Sequence, residues 1–168
     1  AAAMSAEGAL ERLLDPASRV QTEVVVPEGL RLSQVVDRLV AASGLPPADF
    51  ERALQSPRGL GLPEYADGDA EGFLFPATYT FEPDTTARSM LRQMVQRFDQ
   101  AAADVGLVEG AAAAGYTPRE ALTIASLVQA EVVEPDFGKA SRVVANRLAA
   151  GMKLQFDSTV NYALGEDD

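Results

Sequence analysis

Glu131 is the residue of this chain whose type and position most directly suggest chemistry. It follows Ile124, Leu127 and Val128 by seven, four and three residues, which is the spacing of one helix face. A carboxylic acid on an apolar stripe is costly to ionise, because burial and the negative end of a helix dipole both disfavour its anion. Such a group is suited to general acid catalysis. The alternative is a solvated acid at the end of an ordinary amphipathic helix.

The helix that would carry Glu131 has a clear start signal. Thr117 suits the N-cap, Pro118 suits the first helical position, and Glu120 completes a capping box. Another helix is expected to begin at Pro135 and to stop at Gly151. Asn146 lies on the polar side of that helix, where it is either a ligand contact or part of a solvated face.

Four other residues are candidates for the surroundings of the acid. Glu71 precedes an aromatic segment and has the chemistry to bind a sugar hydroxyl, and Tyr79 has a ring that could pack on a pyranose. Gln155 and Asp157 are two residues apart, so they would share one face of an extended segment. The alternatives are that Glu71 is a charge in a loop, that Tyr79 occupies an ordinary core position, and that Gln155 and Asp157 lie on a half-exposed strand.

Two absences exclude whole classes of chemistry. The chain has no His and no Cys, which excludes a Ser–His–Asp triad, a His-ligated metal, a thiol nucleophile and a disulfide. The net charge of −11 disfavours nucleic acid and anionic membrane surfaces as partners. The sequence predicts no cofactor and no metal, since acids near residues 131–136 are too weak a pattern. No window is long and apolar enough to predict a membrane span.

The first part of the chain is expected to form a small α+β unit. Residues 1–19 predict a short helix, over residues 4–14, and a linker. Residues 20–60 predict a strand at 20–26, a helix that Ser33 caps and Gly44 ends, and a second helix opened by Pro46 and Pro47.

Residues 61–168 are expected to form a second, mostly helical domain with short strands. Alternating aromatics at residues 73–81 predict a strand pair broken at Pro76, and Thr85 or Thr86 is expected to cap a long helix. The final segment, residues 152–162, is expected to be extended. Neither end of the chain resembles a natural terminus, so we expect a piece cut at both ends. The predicted fold class is α+β throughout.

Four ordered segments together resemble one family. Residues 125–131, 144–148 and 151–162 are similar to the ASIVEKE-like, NRL and LQxDPTVxY segments of the YceG-like (MltG-type) endolytic murein transglycosylases. Residues 71–79 resemble their LEGFLFPDTY segment, and residues 27–29 resemble the start of their small LysM-like subdomain. The similarity extends from about residue 20 to the C-terminus, so the first unit is expected to be LysM-like and the second to be a YceG-like catalytic domain.

The resemblance implies roles for individual residues. Glu131 matches the catalytic Glu that ends the ASIVEKE-like motif, whereas Gln129 stands at the motif's earlier Glu position and is not expected to be essential. Ser158 replaces the usual Pro, which affects the expected local turn. The implied substrate-binding set is Glu71, Tyr79, Ser126, Asn146, Gln155 and Asp157.

The resemblance also implies an activity and a location. Glu131 would protonate the glycosidic oxygen between N-acetylmuramic acid and N-acetylglucosamine of nascent glycan strands, and would then deprotonate the muramyl O6 hydroxyl. That oxygen attacks C1 and leaves a 1,6-anhydro end. The expected partners are peptidoglycan strands and the cell-wall synthases, at the extracytoplasmic face of a bacterial membrane. The family's single-pass anchor and its C-terminal motifs are missing here, so we expect an incomplete catalytic domain whose own activity is open.

Two other functions stay open. A non-catalytic glycan-binding or scaffold fragment of the cell-wall synthesis machinery would act through the LysM-like unit and would not need an acid on an apolar stripe. An ordinary hydrolase would use Glu131 and Asp157 as a carboxylate pair and would leave reducing ends.

Overall fold

The computed structural model describes residues 5–15 and 21–165. Within those ranges the helices and strands are α1 (Ala6–Leu14), β1 (Thr22–Val26), α2 (Leu32–Ser43), α3 (Pro47–Leu54), β2 (Ala77–Phe81), α4 (Ala87–Asp104), α5 (Leu107–Ala114), α6 (Pro118–Glu131), α7 (Phe137–Ala149) and α8 (Asp157–Leu164). Short 3-10 turns occupy Pro57–Gly59, Glu64–Ala66 and Glu134–Asp136. This content confirms the predicted α+β class. Met4 and Val20, which we expected in the first helix and strand, lie outside the described residues.

The two strands pair antiparallel although 50 residues separate them, with a register that runs from Thr22 opposite Phe81 to Val26 opposite Ala77. The predicted strand pair within residues 73–81 is therefore wrong, because the partner of β2 is β1. Pro76 has no N–H to donate to a ladder, and Gly72 adopts a φ of 84°, so the preceding segment does not extend β2.

One hydrophobic core joins the strands to three helices. It contains Val24 of β1, Leu39 of α2, Phe50 of α3, Phe81 of β2 and Leu91 of α4, all of them buried. The domain boundary expected near residue 60 therefore lies between segments that share a sheet and a core. The division of the chain at that point stays a prediction.

The start of α2 differs from its prediction. Gly44 ends the helix in the left-handed region, with a φ of 69°, as its position indicated. Ser33 does not cap it, because α2 begins at Leu32 and Arg31 occupies the N-cap. The Arg31 N–H donates to Oε1 of Gln34 at 2.9 Å, which replaces the expected hydroxyl cap with a side chain from inside the helix.

The helix that carries Glu131 forms as its start signal predicts. The Thr117 hydroxyl accepts from the Glu120 N–H at 3.2 Å, and Oε2 of Glu120 accepts from the Thr117 N–H at 2.8 Å. These reciprocal bonds satisfy two N–H groups at the helix start. α6 then runs to Glu131, so the acid is the last helical residue.

Residues 157–164 form a helix, so the prediction of an extended segment over residues 152–162 was wrong from Asp157 onward. α8 begins at Asp157, and Gly165 follows it with a φ of 71°. Asp157 places an acid in the first turn, where the helix dipole favours negative charge, and the glycine provides a left-handed stop. No helix in the described ranges is both long and apolar enough for a membrane crossing.

Candidate active site

The carboxylate of Glu131 lies where the ends of two helices meet. Its Oε1 accepts a hydrogen bond from the backbone N–H of Ser158, in the first turn of α8, at 3.3 Å. The side chain is half-buried. The carboxyl end of α6 disfavours the Glu131 anion, whereas the amino end of α8 and its N–H donor favour it. The sequence argument included only the first of these two influences.

The segment before α8 is held by the end of α7. The guanidinium of Arg147 donates to the carbonyl of Leu154 and lies 5.6 Å from the ring centroid of Phe156. The carbonyl of Arg147 accepts from the Met152 N–H at 2.8 Å. These contacts link both sides of the loop to α7, and so fix where α8 begins relative to Glu131.

Gln155 and Asp157 do not share the face of a strand. Gln155 is exposed and has a φ of 56°, in the left-handed region, and Asp157 is the exposed first residue of α8. The left-handed backbone at Gln155 interrupts the extended conformation just before the helix. A spacing of two residues therefore no longer places the two side chains on one face.

Glu71 binds the protein itself rather than pointing freely into a cleft. Both of its carboxylate oxygens lie 3.1 Å from the Leu32 N–H, the first amide of α2. Burial is the largest influence on this group and raises its pKa, with Asp69 acting in the same direction. The Leu32 N–H and the charge of Arg31 oppose that rise.

Tyr79 is buried in the core. Its hydroxyl donates to the carbonyl of Phe75 at 2.6 Å, and its ring stacks on Phe81 with centroids 5.9 Å apart and planes 3° from parallel. Burial raises the pKa of the Tyr79 hydroxyl to about 12. Phe81 therefore covers the ring face that a pyranose would need, and the core alternative describes this residue better.

Ser126 and Asn146 are both exposed on their helices. The Ser126 hydroxyl donates to the carbonyl of Thr123 at 2.8 Å. Five residues separate Ser126 from Glu131, which places them about 140° apart around α6. Asn146 lies on the solvent side of α7. Among the described residues neither side chain hydrogen-bonds to Glu131, and their role in substrate binding stays a prediction.

Arg31 and Tyr162 were not among the predicted site residues. The guanidinium of Arg31 donates to the carbonyl of Asn161 at 3.1 Å and to that of Tyr162 at 3.5 Å, and lies 5.0 Å from the Tyr162 ring centroid. Some 130 residues separate these partners, so no local pattern could have shown the contact. The Ser158 N–H was not predictable from a capping pattern either, because Phe156 is the N-cap of α8 and makes no side-chain cap bond.

A groove lies on the face of α6 that carries the acid. It has a volume of about 430 Å³, and Ile124 is among its lining residues. Ile124 precedes Glu131 by seven residues, so the two share one helix face about 10 Å apart. The remaining lining comes from the end of α5, its connection to α6, α6 itself and α7, and includes Tyr116, Ser141 and Arg142. Within the described ranges no cluster of three acidic side chains could hold a metal ion.

Comparisons with known proteins show which family this chain resembles. A model of the YceG-like family matches residues 1–168. An endolytic murein transglycosylase of Streptococcus pneumoniae (strain ATCC BAA-255 / R6) is 28% identical over 194 aligned residues, covering 97% of this chain and 34% of that protein. One from Bacillus subtilis (strain 168) is 37% identical over 99 residues, covering 57% of this chain and 27% of that protein. The chain thus spans about a third of the length of these relatives.

A solved structure has the same fold. The 2.6 Å crystal structure of a YceG-like protein from Listeria monocytogenes matches this chain with a TM-score of 0.76 and 29% identity. The match covers 99% of this chain and 60% of that one. Since the family model and this structural match both extend over nearly the whole chain, the protein belongs to the YceG-like family.

Proposed function

We propose that this chain is the part of a peptidoglycan lytic transglycosylase that supplies the catalytic acid, Glu131. The observation that carries the proposal is the half-buried carboxylate at the meeting point of α6 and α8, with the Ser158 N–H as donor. The names of the relatives from Streptococcus pneumoniae and Bacillus subtilis support a murein substrate. Because the chain has no His and no Cys, its possible general acids are Asp, Glu, Tyr and Lys, and Glu131 is the proposed one.

The proposed reaction needs only one carboxyl group. Protonated Glu131 donates its proton to the glycosidic oxygen between N-acetylmuramic acid and N-acetylglucosamine, and the C1–O bond breaks. The resulting carboxylate is stabilised by the Ser158 N–H and by the amino end of α8. It then takes the proton from the muramyl O6 hydroxyl as O6 bonds to C1. The products are a 1,6-anhydro end and a free hydroxyl, with no water consumed.

The substrate is proposed to be a glycan strand of nascent peptidoglycan that lies along α6. The groove at Ile124 continues the face of Glu131, and Tyr116 offers an aromatic ring beside it. Such a substrate places the reaction outside the cytoplasmic membrane. Cell-wall synthases, as suppliers of nascent strands, are the proposed protein partners, and a single-pass anchor in the full-length protein is the proposed membrane attachment.

Mass spectrometry of the soluble products from purified peptidoglycan tests the proposal. The native chain and Glu134→Gln should both release anhydro-muramyl ends, because Glu134 is an exposed acid just after α6 and gives a matched loss of charge. Glu131→Gln should lower the rate by roughly a hundredfold or more, the usual contribution of a general acid.

The other possible results each support a different function. Reducing ends in place of anhydro ends would favour a hydrolase that also uses Asp157. If the native chain released no product but co-sedimented with insoluble peptidoglycan, a glycan-binding role would replace the catalytic one. Equal rates for Glu131→Gln and Glu134→Gln would show that Glu131 is not the acid.

A further inference from the structure

Arg31 occupies a position that its side chain does not suit locally. It is the N-cap of α2, where Ser, Thr, Asp and Asn are preferred because their oxygen atoms accept from the helix amides. A guanidinium has no acceptor. The Leu32 N–H is instead bonded by Glu71, and the Arg31 N–H is bonded by Gln34. Glu71 and Gln34 therefore cap α2, and the Arg31 guanidinium makes its contacts outside this helix start.

The guanidinium of Arg31 contacts the carboxyl end of α8. Its donors reach the carbonyls of Asn161 and Tyr162, which belong to the last four residues of that helix. Carbonyls in the last turn have few helical partners and carry the negative end of the helix dipole, so a cation there is favourable. The ring of Tyr162 adds a cation–π contact at 5.0 Å.

The opposite end of α8 contacts Glu131. The helix has only eight residues and none of them is buried, so neither helix propensity nor core packing fixes its position. Its placement depends on its contact with α6 and on contacts at its ends, which are the loop held by Arg147, the bond from Ser158 to Glu131 and the contact with Arg31.

We propose that Arg31 is a positioning residue for Glu131 and acts through α8. By holding the carboxyl end of this short helix, Arg31 keeps the Ser158 N–H directed at the Glu131 carboxylate. The acid of α6 is thereby oriented in part by a residue of the first strand–helix connection, about 100 positions earlier in the chain. The effect on the reaction rate rests on the proposed function, whereas the effect on α8 does not.

Amide hydrogen exchange tests the structural part with three variants. Arg31→Ser removes the guanidinium but supplies a good N-cap, so α2 should stay intact. The amides of α8 should then exchange roughly tenfold faster, as expected for the loss of a charged hydrogen bond. Arg31→Lys keeps the charge, so the exchange rate of its α8 amides should lie between those of the native chain and of Arg31→Ser. Arg38→Ser removes the same charge from an exposed position of α2 and should match the native chain.

The NMR resonance of the Ser158 amide tests the link to Glu131 without any activity measurement. In Glu131→Ala the Ser158 N–H loses its acceptor, which gives the reference position for a broken bond. In Arg31→Ser the Ser158 amide resonance should move toward its position in Glu131→Ala. In Arg38→Ser it should remain at its native chemical shift. Unchanged α8 exchange, or a Ser158 resonance that does not move, would overturn the proposal.

Product formation tests the consequence for the rate. Arg31→Ser should lower kcat by roughly tenfold or more, because small displacements of a catalytic group are costly, and KM should change less than about twofold. Arg31→Lys should recover part of the lost rate. If Glu131 proves to be the acid but Arg31→Ser keeps the native kcat, then Arg31 holds α8 without positioning the acid.

Discussion

Glu71 lies close to charges of both signs, and its ionisation is therefore linked to folding. Its oxygens accept from the Leu32 N–H, while Arg31 and Asp69 act on it electrostatically in opposite directions. Burial exceeds these influences and raises its pKa above the ordinary value of 4.5. The folded chain thus holds the Glu71 proton more tightly than the unfolded chain does.

This linkage predicts a pH dependence of stability. A carboxyl group whose folded pKa is raised stabilises the fold below its ordinary pKa, and this contribution is lost as the pH rises through the folded value. Glu71→Gln keeps an acceptor for the Leu32 N–H but removes the titration. Urea unfolding between about pH 4 and pH 7 should therefore show the variant gaining stability relative to the native chain as the pH rises.

Glu64→Gln is the matched control for this measurement, because Glu64 is exposed and comes from the turn that precedes the same loop. Its difference in unfolding free energy from the native chain should stay nearly constant over the pH range. A constant difference for Glu71→Gln as well would contradict the raised pKa.

Among the elements, α6 was predictable and α8 was not. Thr117, Pro118 and Glu120 specify the start of α6 through bonds within four residues of sequence, so local pattern was sufficient. Before and within α8 the apolar residues, such as Phe156 and Val160, alternate with polar ones, which is a pattern typical of a strand. Contacts with Glu131 and Arg31, distant in sequence, accompany the helix that forms instead.

The candidate site, too, was predictable only where it depends on residues close together in the sequence. Spacing was sufficient to single out Glu131 as a candidate, because the stripe that carries it belongs to one helix. The positions of Glu71 and Tyr79 depended on partners from other elements, Leu32 for the first and Phe81 and Phe75 for the second. No spacing rule within the sequence defines such partners, so the surroundings of Glu131 could not be predicted from the sequence.

The amino end of α8 provides a test of the bond to Glu131. Ser158→Pro removes the N–H, and proline is tolerated in a first helical turn, where that N–H has no helical partner. The carboxylate that Glu131 forms during the reaction would lose a donor, so kcat should fall by roughly tenfold. The similar LQxDPTVxY segment has proline at this position, which supports a folded variant.

Ser158→Ala is the control, since it keeps the backbone donor and removes only the hydroxyl. That hydroxyl is buried and has no hydrogen-bond partner among the described residues, so its loss should not weaken the fold. The kcat of Ser158→Ala should match that of the native chain. Equal kcat values for the alanine and proline variants would show that the N–H does not affect Glu131.

Over the whole molecule, burial is uneven. The core around β1, β2, α2, α3 and α4 contains fully enclosed side chains such as Leu39, Phe50 and Met94. In contrast, α6 and α7 each bury one residue, Val128 and Val144, and α8 buries none. The helices that carry the candidate site therefore have less apolar burial to stabilise them than the helices of this core do.

This difference predicts two levels of protection against hydrogen exchange. Amides of α2 and α4 should open only with global unfolding, whereas those of α7 and α8 should exchange through local opening. After correction for intrinsic rates, we expect a difference on the order of a hundredfold between the two groups. Mass spectrometry of peptic fragments would measure it, and uniform protection along the chain would contradict the expectation.

The contact between Arg31 and α8 has a consequence for the order of events during synthesis. Ribosomes add about 5 to 20 residues per second, so the 130 residues between Arg31 and Asn161 take roughly 6 to 26 seconds to translate. Both strands and the helices between them are complete long before that interval ends, which leaves time for their core to form. We therefore expect the newly made α8 to pack against a guanidinium that is already in place, so that the contacts around Glu131 form after the core does.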